Sequence, residues 1–564
     1  MLSGKEKISY GLGAVGKDMV YMLSASYILY YYQDLLGVSA IAMGIILLIA
    51  RIFDAFNDPI MGIIVAKTKT RWGKFRPWLL IGTLTNAVVL FLMFSAPPAL
   101  NKTGLIAYAA VTYIVWGVTY TMMDIPYWSM IPAFTKGGKE REGLSALARS
   151  CAGVGSAVIS IITVMTVFAL GMKFSPDAEA YKNSVALIEQ TKAAQEKLID
   201  SICLETAVTA DELELYAVKI KENKGDEASA ALINAAEKDF LEKGMSQALL
   251  DEYKAVVTNV AVAEKDSVKA KVPVERTGYK YFSLIVAVLF VVFIVITCAA
   301  IKEKSTVKFQ SPSVGEMFRA LFRNDQAVVI VAAIVMINTA LYITSNLVIY
   351  FFKYDFNPAA FESNYSMFNM FGGGFQILAM MILFPLFRKF MNTVKIFYAS
   401  FFMAFTGYII LLFVAVSGTS NFWALVPSAF LIMSAIGMLN VVVTIFLANT
   451  VDYGELKNHR RDESVIFSMQ TFVVKLASGI SALIASVVLA VCNINKDAIN
   501  GTKLAASSTI GLRMSMTLIP LVVLIAGLII FKTRFILNDK KVQEINEQLA
   551  ARGKKLEAIT SDAE

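Results

Sequence analysis

The 564-residue sequence has few of the residues on which most enzyme and metal sites depend. It contains 4 cysteines and 1 histidine, and no two cysteines have the CxxC spacing. The sequence therefore predicts neither a disulfide framework nor a zinc site. It also lacks a glycine-rich phosphate loop and a nucleophile elbow, which favours a protein that is not an enzyme and needs no cofactor.

Charged residues are scarce as well. They make up 17% of the chain, against 57% hydrophobic residues, which predicts that most of the chain lies in lipid. The net charge of +8 belongs to the loops, so no nucleic-acid partner is expected. A spanning helix needs about 20 mainly apolar residues. Twelve segments qualify: 8–34, 39–65, 77–98, 104–133, 144–171, 280–301, 326–352, 365–387, 393–416, 421–450, 464–492 and 508–535.

The positions of lysine and arginine predict which loops face the cytoplasm. The loop at 66–76 contains Lys67, Lys69, Arg71, Lys74 and Arg76 and no acidic residue. The alternate short loops are also basic, and the loops between them carry few cations. We therefore expect a multi-pass protein of the cell membrane, in contact with lipid, with both termini in the cytoplasm.

One long polar segment separates the fifth and sixth spans. Residues 173–276 contain 14 lysines and arginines and 20 acidic residues, and their helical periodicity predicts a small extracytoplasmic helical bundle. Thr209 and Glu212 have the spacing of a capping box. The segment is either a spacer or lid without a ligand, or a domain with a role of its own.

The spans group as two bundles of six around this insert. A six-plus-six layout predicts a transporter with its substrate at the midplane between the bundles. The predicted organisation is an amino-terminal bundle of helices 1–5 (1–172), the insert (173–278), helix 6 (279–301), a cytoplasmic central loop (302–325), a carboxy-terminal bundle of helices 7–12 (326–536) and a cytoplasmic tail (537–564). Within the central loop, an apolar stripe from Val314 to Phe322 fits either an interfacial helix or the start of the seventh span.

The second predicted span contains an acidic face. Asp54, Asn57 and Asp58 lie on one side of a helix because of their i, i+3 and i+4 spacing. Ionisable groups at membrane depth are costly and usually mark an ion or substrate path. The alternative, a pair between Asp54 and Arg51, leaves Asp58 unexplained. The pattern therefore favours a cation-coupled transporter.

Five blocks of sequence resemble one known family. They are YGLGAVGKD (10–18), DAFNDPIMG (54–62), TRWGKFRPW (70–78), YTMMDIPYWSMIP (120–132) and VDYGELKNHRRDES (451–464). These blocks resemble the glycoside–pentoside–hexuronide:cation symporters, a group of the major facilitator superfamily that includes the bacterial melibiose permease. The resemblance implies an all-α membrane protein with the twelve-helix major facilitator fold. It also implies symport of a sugar, glycoside or uronide into the cytoplasm with sodium or a proton.

For the cation, the resemblance implies Asp54, Asn57 and Asp58 on the second helix and Thr121 on the fourth. Two carboxylates, an amide carbonyl and a hydroxyl are hard oxygen ligands that suit a small monovalent ion. Without the ion the two carboxylates repel, so one of them should gain a proton. Sodium at Asp54 and Asp58 and a proton on one of them both fit these residues.

For the sugar, the resemblance implies Lys17, Asp18, Asp124, Trp128 and Arg149 in the amino-terminal bundle. Asp124 and Trp128 are one helical turn apart, so a carboxylate that accepts hydroxyl protons stands beside an aromatic face. Arg149 is expected to pair with either carboxylate. The alternative is a buried salt-bridge cluster that locks this bundle.

The carboxy-terminal half adds a second group. The resemblance implies Gln470, Thr471, Val474 and Lys475 on the eleventh helix. Lys475 is alone in a long apolar helix, so it should reach the aspartates of the other bundle. Melibiose-type members of the family have a tryptophan at the position of Asn440. Its absence here favours a solute other than melibiose, namely a different glycoside, a pentoside or a uronide.

A cytoplasmic gate is also predicted. Asp452, Glu455 and Arg461 face Arg141 of the other bundle in this hypothesis. Surface pairs of this kind contribute about 0–1 kcal/mol each, which suits a gate that must open. The alternative is that the arginines only set topology.

Two other functions stay open from the sequence. One is a carrier of a lipid or another amphipathic solute. The other is a membrane receptor or scaffold that binds a partner through the insert.

Overall fold

The computed structural model describes residues 2–134, 138–222, 227–301, 314–458, 463–494, 504–545, 547–549 and 551. Within these residues the secondary structure is helical and contains no β-strand. The helices are α1 (Gly4–Tyr30), α2 (Ala40–Lys67), α3 (Arg76–Met93), α4 (Lys102–Ser129), α5 (Ile131–Phe134), α6 (Gly138–Phe174), α7 (Ala178–Glu205), α8 (Ala210–Glu222), α9 (Glu227–Glu242), α10 (Gln247–Ala300), α11 (Val314–Arg323), α12 (Asp325–Phe351), α13 (Phe361–Leu378), α14 (Phe384–Phe390), α15 (Thr393–Val416), α16 (Val426–Asn458), α17 (Glu463–Val491) and α18 (Ala506–Arg534). Short π-helical turns follow α1 (Tyr31–Leu35), α12 (Phe352–Phe356) and α13 (Ala379–Leu383).

The membrane-spanning character predicted from the sequence is confirmed. Among the described residues, eleven helical segments are long and apolar enough to cross a membrane. The predicted first span, α1, is not among the eleven. It is nevertheless 27 residues long, with Lys17 and Asp18 near its middle, and it packs inside the same helical assembly.

The helices pack as two groups joined along a shared interface. In the first group α1 packs on α6 and α10, and α4 packs on α2 and α3. In the second, α12 packs on α16, α17 and α18, while α16 also contacts α13 and α15. The groups meet where α2 lies against α17 and α6 lies against α13. The interface is close: a Cβ atom added to Gly44 of α2 would stand 2.6 Å from the Ser486 hydroxyl of α17.

The insert is a helical bundle with its own core. Helices α7, α8 and α9 pack with the first half of α10 around Ile202, Tyr216, Phe240 and Tyr253. The 54-residue helix α10 continues from this bundle into the sixth predicted span without a break at 278/279. The insert is therefore attached to the membrane region by a continuous helix.

The capping box predicted in the insert is present. The Thr209 amide donates to Glu212 Oε2 at 3.0 Å, and the Glu212 amide donates to Thr209 Oγ1 at 3.4 Å. Lys243 also donates to the Glu212 carboxylate. This hydrogen bond is the main reason that the pKa of Glu212 is lowered to about 2.

Two glycines allow α6 and α10 to cross closely. A Cβ atom on Gly171 would overlap the carbonyl oxygen of Val274, and one on Gly278 would overlap that of Val167. Each helix therefore places a backbone carbonyl where the other has no side chain. Small residues at such crossings are typical of helix packing in membranes.

We expect Gly278→Ala to destabilise the protein, because its new methyl group meets backbone rather than a movable side chain. Overpacking of this kind costs about 1–3 kcal/mol. Thermal unfolding in detergent, followed by size-exclusion chromatography, measures the effect. Gly374→Ala on α13 is the control, since nothing lies within 4 Å of its added Cβ. Equal melting temperatures for the two variants contradict the close-crossing account.

The structure also separates α11 from α12. Asn324 caps α12, and its side chain accepts a hydrogen bond from the Ala327 amide. The segment Val314–Arg323 is thus a distinct helix rather than the start of the seventh span. Its Phe318 ring lies 5.7 Å from the ring of Phe472 on α17.

Candidate functional site

The acidic face of α2 lies against α4. Thr121 Oγ1 of α4 donates to Asp58 Oδ1 at 2.9 Å. One turn earlier on α4, Gly117 makes room for the other aspartate: a Cβ atom there would stand 2.5 Å from Asp54 Oδ1. The buried amide nitrogen of Asn57 has no hydrogen-bond partner among the described residues. The two carboxylates and the hydroxyl predicted for the cation therefore lie at one helix contact, and the amide lies beside them on α2.

Lys475 joins this site from the other bundle. Its Nζ lies 2.5 Å from Asp58 Oδ2, and both side chains are largely buried, at 13% and 17% exposure. An ion pair buried in this way needs both partners, because removing one leaves an uncompensated charge. Asp58 is thus held by a hydroxyl of its own bundle and by a cation of the opposite bundle.

Asp54 has a different partner. Arg51 Nη1 lies 3.2 Å from Asp54 Oδ2, and Arg51 Nη2 donates to the Tyr113 hydroxyl at 2.9 Å. The Arg51–Asp54 pair considered from the sequence is therefore present. Sequence reasoning missed Tyr113 and Gly117, although both share the face of α4 that carries Thr121, at intervals of four residues.

A second buried cluster surrounds Lys17. The Lys17 ammonium lies 2.9 Å from Asp18 Oδ2 and 2.8 Å from Asp124 Oδ1. Trp128 Nε1 donates to the same Asp124 oxygen at 3.1 Å, and its ring lies 4.9 Å from the Lys17 ammonium. Four residues predicted for the sugar are therefore together, and both carboxylates lie within ion-pair distance of Lys17, whose single positive charge offsets one of their two negative charges.

Arg149 differs from its expected role. Its guanidinium stacks over the Trp128 ring at 4.8 Å and makes no ion pair with a described carboxylate. Lys17 already occupies both Asp18 and Asp124, which explains why the arginine is left at the aromatic face. Such a cation–π contact contributes about 0.5–2 kcal/mol.

The other predicted residues lie on α16 and α17 or have side chains outside the described part of the chain. Gln470 and Val474 are half-buried on α17, and Asn440 is half-buried on α16. Asp452 and Glu455 are half-buried near the end of α16. The side chains of Thr471 and Arg141, and the whole of Arg461, lie outside the described residues. The cytoplasmic gate and the carboxy-terminal sugar residues stay predictions.

A polar network that the sequence did not suggest closes the interface at the insert end. The Tyr30 hydroxyl donates to Glu275 Oε2 at 3.0 Å and accepts from Lys353 Nζ at 2.5 Å. Lys271 of α10 donates to Glu362 of α13 at 2.6 Å. We call these five residues the insert-side seal. They join α1 and α10 to the second bundle.

The fold and these sites define a two-bundle membrane transporter of the major facilitator type. A family model described as MFS/sugar transport protein matches residues 9–192 and 254–539, and the chain belongs to this family. The resemblance to the glycoside–pentoside–hexuronide:cation symporters is confirmed, and the family is one of transport proteins rather than enzymes. The unmatched stretch, 193–253, lies within the predicted insert.

Some curated relatives match about a third of this chain, and others match most of it. The putative glycoside/cation symporter YagG of Escherichia coli (strain K12) is 39% identical over 170 residues, which are 30% of this chain and 37% of that protein. The chain thus spans little more than a third of the length of this relative. The lactose permease of Lactobacillus helveticus is 23% identical over 98% of this chain and 73% of its own length. The isoprimeverose transporter of Lactiplantibacillus pentosus is 24% identical over 87% and 80%.

Solved structures share the fold at low sequence identity. The nucleoside transporter NupG has a TM-score of 0.55 and 11% identity, covering 93% of this chain and 100% of its own. A bacterial homologue of the human lysosomal transporter Spinster has a TM-score of 0.54, also at 11% identity, over 93% and 95%. These similarities support the architecture alone.

Proposed function

We propose that the protein is a secondary active transporter that carries a sugar, glycoside or uronide into the cytoplasm together with sodium or a proton. One arrangement carries the proposal: Asp58 contacts Thr121 of its own bundle and Lys475 of the other. Relatives named glycoside/cation symporter, lactose permease and isoprimeverose transporter support a glycoside as the solute.

The coupling ion and Lys475 compete for the same carboxylate in this mechanism. Asp58 requires a positive partner at membrane depth, and the Lys475 ammonium supplies one when the bundles are in contact. An ion that binds the oxygens of Asp54, Asp58 and Thr121 takes over that role and frees Lys475. Ion binding then weakens one contact between the bundles, which favours their relative movement.

The fourth helix links the ion to the sugar. Thr121 and Asp124 are three residues apart on α4, so they lie on neighbouring positions of one helix face. An ion that binds the Thr121 hydroxyl fixes the rotation and depth of α4, the helix that presents Asp124 and Trp128. By linkage, the sugar must raise the affinity for the ion by the same factor.

We further propose that the insert-side seal faces the outside of the cell. The basic loop between α2 and α3 favours a cytoplasmic location at the opposite end. In this proposal the conformation is closed toward the exterior by two contacts between the bundles, Lys353 with Tyr30 and Lys271 with Glu362. Alternating access requires these contacts to break when the bundles open outward.

The orientation predicts a labelling pattern. Leu204 in the insert is 87% exposed, and Trp72 in the basic loop is 66% exposed. We expect a membrane-impermeant maleimide added to intact cells to label Leu204→Cys, and to label Trp72→Cys only after permeabilisation. The unsubstituted chain gives the background from its own cysteines. The reverse pattern contradicts the proposed orientation.

The transport proposal is tested in vesicles that contain the purified full-length chain. Radiolabelled glycosides, pentosides and uronides are offered under an inward sodium gradient, an inward proton gradient, or neither. We expect at least one solute to accumulate only when one gradient is present. Uptake that no gradient changes for any solute rejects cation-coupled symport.

A further inference from the structure

The π-helical turn that follows α1 carries a buried carboxylate without a partner. Asp34 is 7% exposed, and neither of its carboxylate oxygens has a hydrogen-bond partner among the described residues. Single π-helical turns are rare and occur frequently at functional sites. An ionised carboxylate is costly in a buried place unless it is paired or hydrogen-bonded. Helix packing alone therefore does not account for Asp34.

The carboxy-terminal bundle contains a matching turn. Its first helix, α12, is also followed by a five-residue π-helical turn, and Asp355 has the same fourth position in that turn as Asp34 has in the other. Arg513 of α18 donates to both oxygens of Asp355, at 2.6 Å each. The second bundle thus neutralises its aspartate with an arginine, whereas Asp34 has no such pair within the described part of the chain.

The charged groups around Asp34 belong to the insert-side seal. Lys353 attracts the charge of Asp34, and Glu275 repels it. Lys271 lies 3.6 Å from Glu275 and 2.6 Å from Glu362. The two lysines of the seal therefore balance its two glutamates. An ionised Asp34 would add a third negative charge to a buried group that is already neutral overall.

Lys353 is moreover engaged with another residue. Its ammonium donates to the Tyr30 hydroxyl at 2.5 Å and lies 4.4 Å from the centre of the Tyr30 ring. Arg276, which follows Glu275 on α10, acts on the Tyr31 hydroxyl. The other ionisable groups that face Asp34 are phenol hydroxyls, which are neutral near pH 7. They are Tyr30, Tyr279, Tyr350 and Tyr354.

We propose that Asp34 is a proton-binding residue at the insert-side seal. It holds a proton from the exterior medium while the seal is closed, and it releases that proton to water when the bundles open outward and the carboxylate becomes hydrated. The inference rests on the proposed orientation and transport function. It makes Asp34 a sensor of exterior pH that is separate from the coupling site at Asp58.

The sign of the pH effect follows from the number of protons bound. The closed seal binds one proton more than the open seal, so exterior acid favours closure and exterior alkali favours opening. For a single proton the ratio of the two states changes by at most about tenfold per pH unit.

A cavity of about 310 Å³ between the bundles provides a reporter position behind the seal. Ser345 of α12 lines this cavity and lies about two helical turns inside Lys353. Arg51 of α2 also lines it and lies nearer the insert than Asp54 on the same helix. A reagent that comes from the exterior reaches Ser345 only after the seal has opened.

Cysteine labelling in intact cells, at fixed sodium concentration and without sugar, tests the proton site. A membrane-impermeant maleimide is added to Ser345→Cys at exterior pH values from about 5 to about 8, a range that brackets raised carboxyl groups. The rate is divided by that of Leu204→Cys, because thiols react as thiolates and their reaction itself depends on pH. We expect the ratio to rise several-fold with pH. In Ser345→Cys/Asp34→Asn it should stay low at every pH, since asparagine resembles the protonated form.

Two further variants complete the test. Asp34→Glu keeps a carboxyl group that can titrate, so it should retain the pH dependence in the same background. Asp266→Asn removes an insert carboxylate that is 60% exposed and should change nothing. Asp34→Asn should also melt no lower than the wild type in detergent, because it copies the neutral side chain.

The outcomes separate the proton site from the other proposals. A pH dependence that survives Asp34→Asn overturns the proton site, because Asp58 is intact in every variant. A flat response of Ser345→Cys, or a clear loss of thermal stability in Asp34→Asn, overturns it as well. If Leu204→Cys is not labelled in intact cells, the proposed orientation fails instead. Failure of the proposed function appears separately, as uptake that no ion gradient changes.

Discussion

Replacing Asp58 with asparagine is expected to abolish cation-stimulated uptake. The substitution keeps the shape of the side chain but removes the charge that pairs with Lys475 at 2.5 Å. Lys475 is then a largely buried ammonium without its partner, and breaking such a pair costs about 3–5 kcal/mol. That loss corresponds to roughly a 100-fold or larger fall in the population of the closed state in which the bundles are in contact. Initial uptake rates against sodium concentration and against pH measure the effect.

A surface pair provides the control for Asp58. Asp325 lies 2.6 Å from Lys457, but the two side chains are about half exposed. Such pairs contribute about 0–1 kcal/mol, so Asp325→Asn should transport nearly as the wild type does. If Asp58→Asn keeps the sodium or pH dependence of the wild type, Asp58 is not the coupling carboxylate.

Replacing Asp124 with asparagine is expected to eliminate sugar binding while the protein still inserts in the membrane. Asp124 accepts from Lys17 at 2.8 Å and from Trp128 at 3.1 Å, so its carboxylate fixes both groups. Its loss removes a carboxylate that can accept hydroxyl protons and releases the aromatic face of Trp128. Titration of the purified protein with its transported sugar gives the binding constant, and Asp539→Asn at the surface is the control. Full sugar affinity in Asp124→Asn removes this residue from the site.

The salt-bridge alternative for the same cluster makes a different prediction. A purely structural cluster tolerates neutral replacement of all its charged members, because no charge is then left buried. Lys17 pairs with both aspartates, so the variant to test is Lys17→Met/Asp18→Asn/Asp124→Leu, which should fold. We expect it to bind no sugar. A folded triple variant with wild-type sugar affinity shows that the cluster only locks the amino-terminal bundle.

Local periodicity predicted the elements of the fold and the composition of each site. Apolar runs of about 20 residues indicated the spans, and the i, i+3 and i+4 spacing placed Asp54, Asn57 and Asp58 on one face. The insert was visible as a polar helical stretch. The sequence did not show that the insert and the sixth span share one continuous helix. The change from polar to apolar residues suggested a boundary, but the backbone geometry of a helix is the same in both environments.

Contacts between segments far apart in the chain were harder to predict from the sequence. Arg149 was expected to pair with a carboxylate, yet it stacks on Trp128 because Lys17 holds both aspartates. The sequence did not predict the insert-side seal either. Tyr30 and Lys353 are 323 residues apart in the chain, and neither lies in a recognisable motif, so no local pattern links them.

The sequence by itself determined that this protein is helical and embedded in a membrane, since these properties follow from composition and helical spacing, and the same spacing predicted oxygen ligands for a cation. The tertiary structure alone decided that Lys475 is the partner of Asp58, that Gly117 makes room for Asp54, and that a cavity between the bundles lies nearer the insert than these two contacts. The physical reason is that these arrangements depend on how α2, α4 and α17 approach one another. Packing between helices far apart in the chain sets that approach, and no local pattern records it.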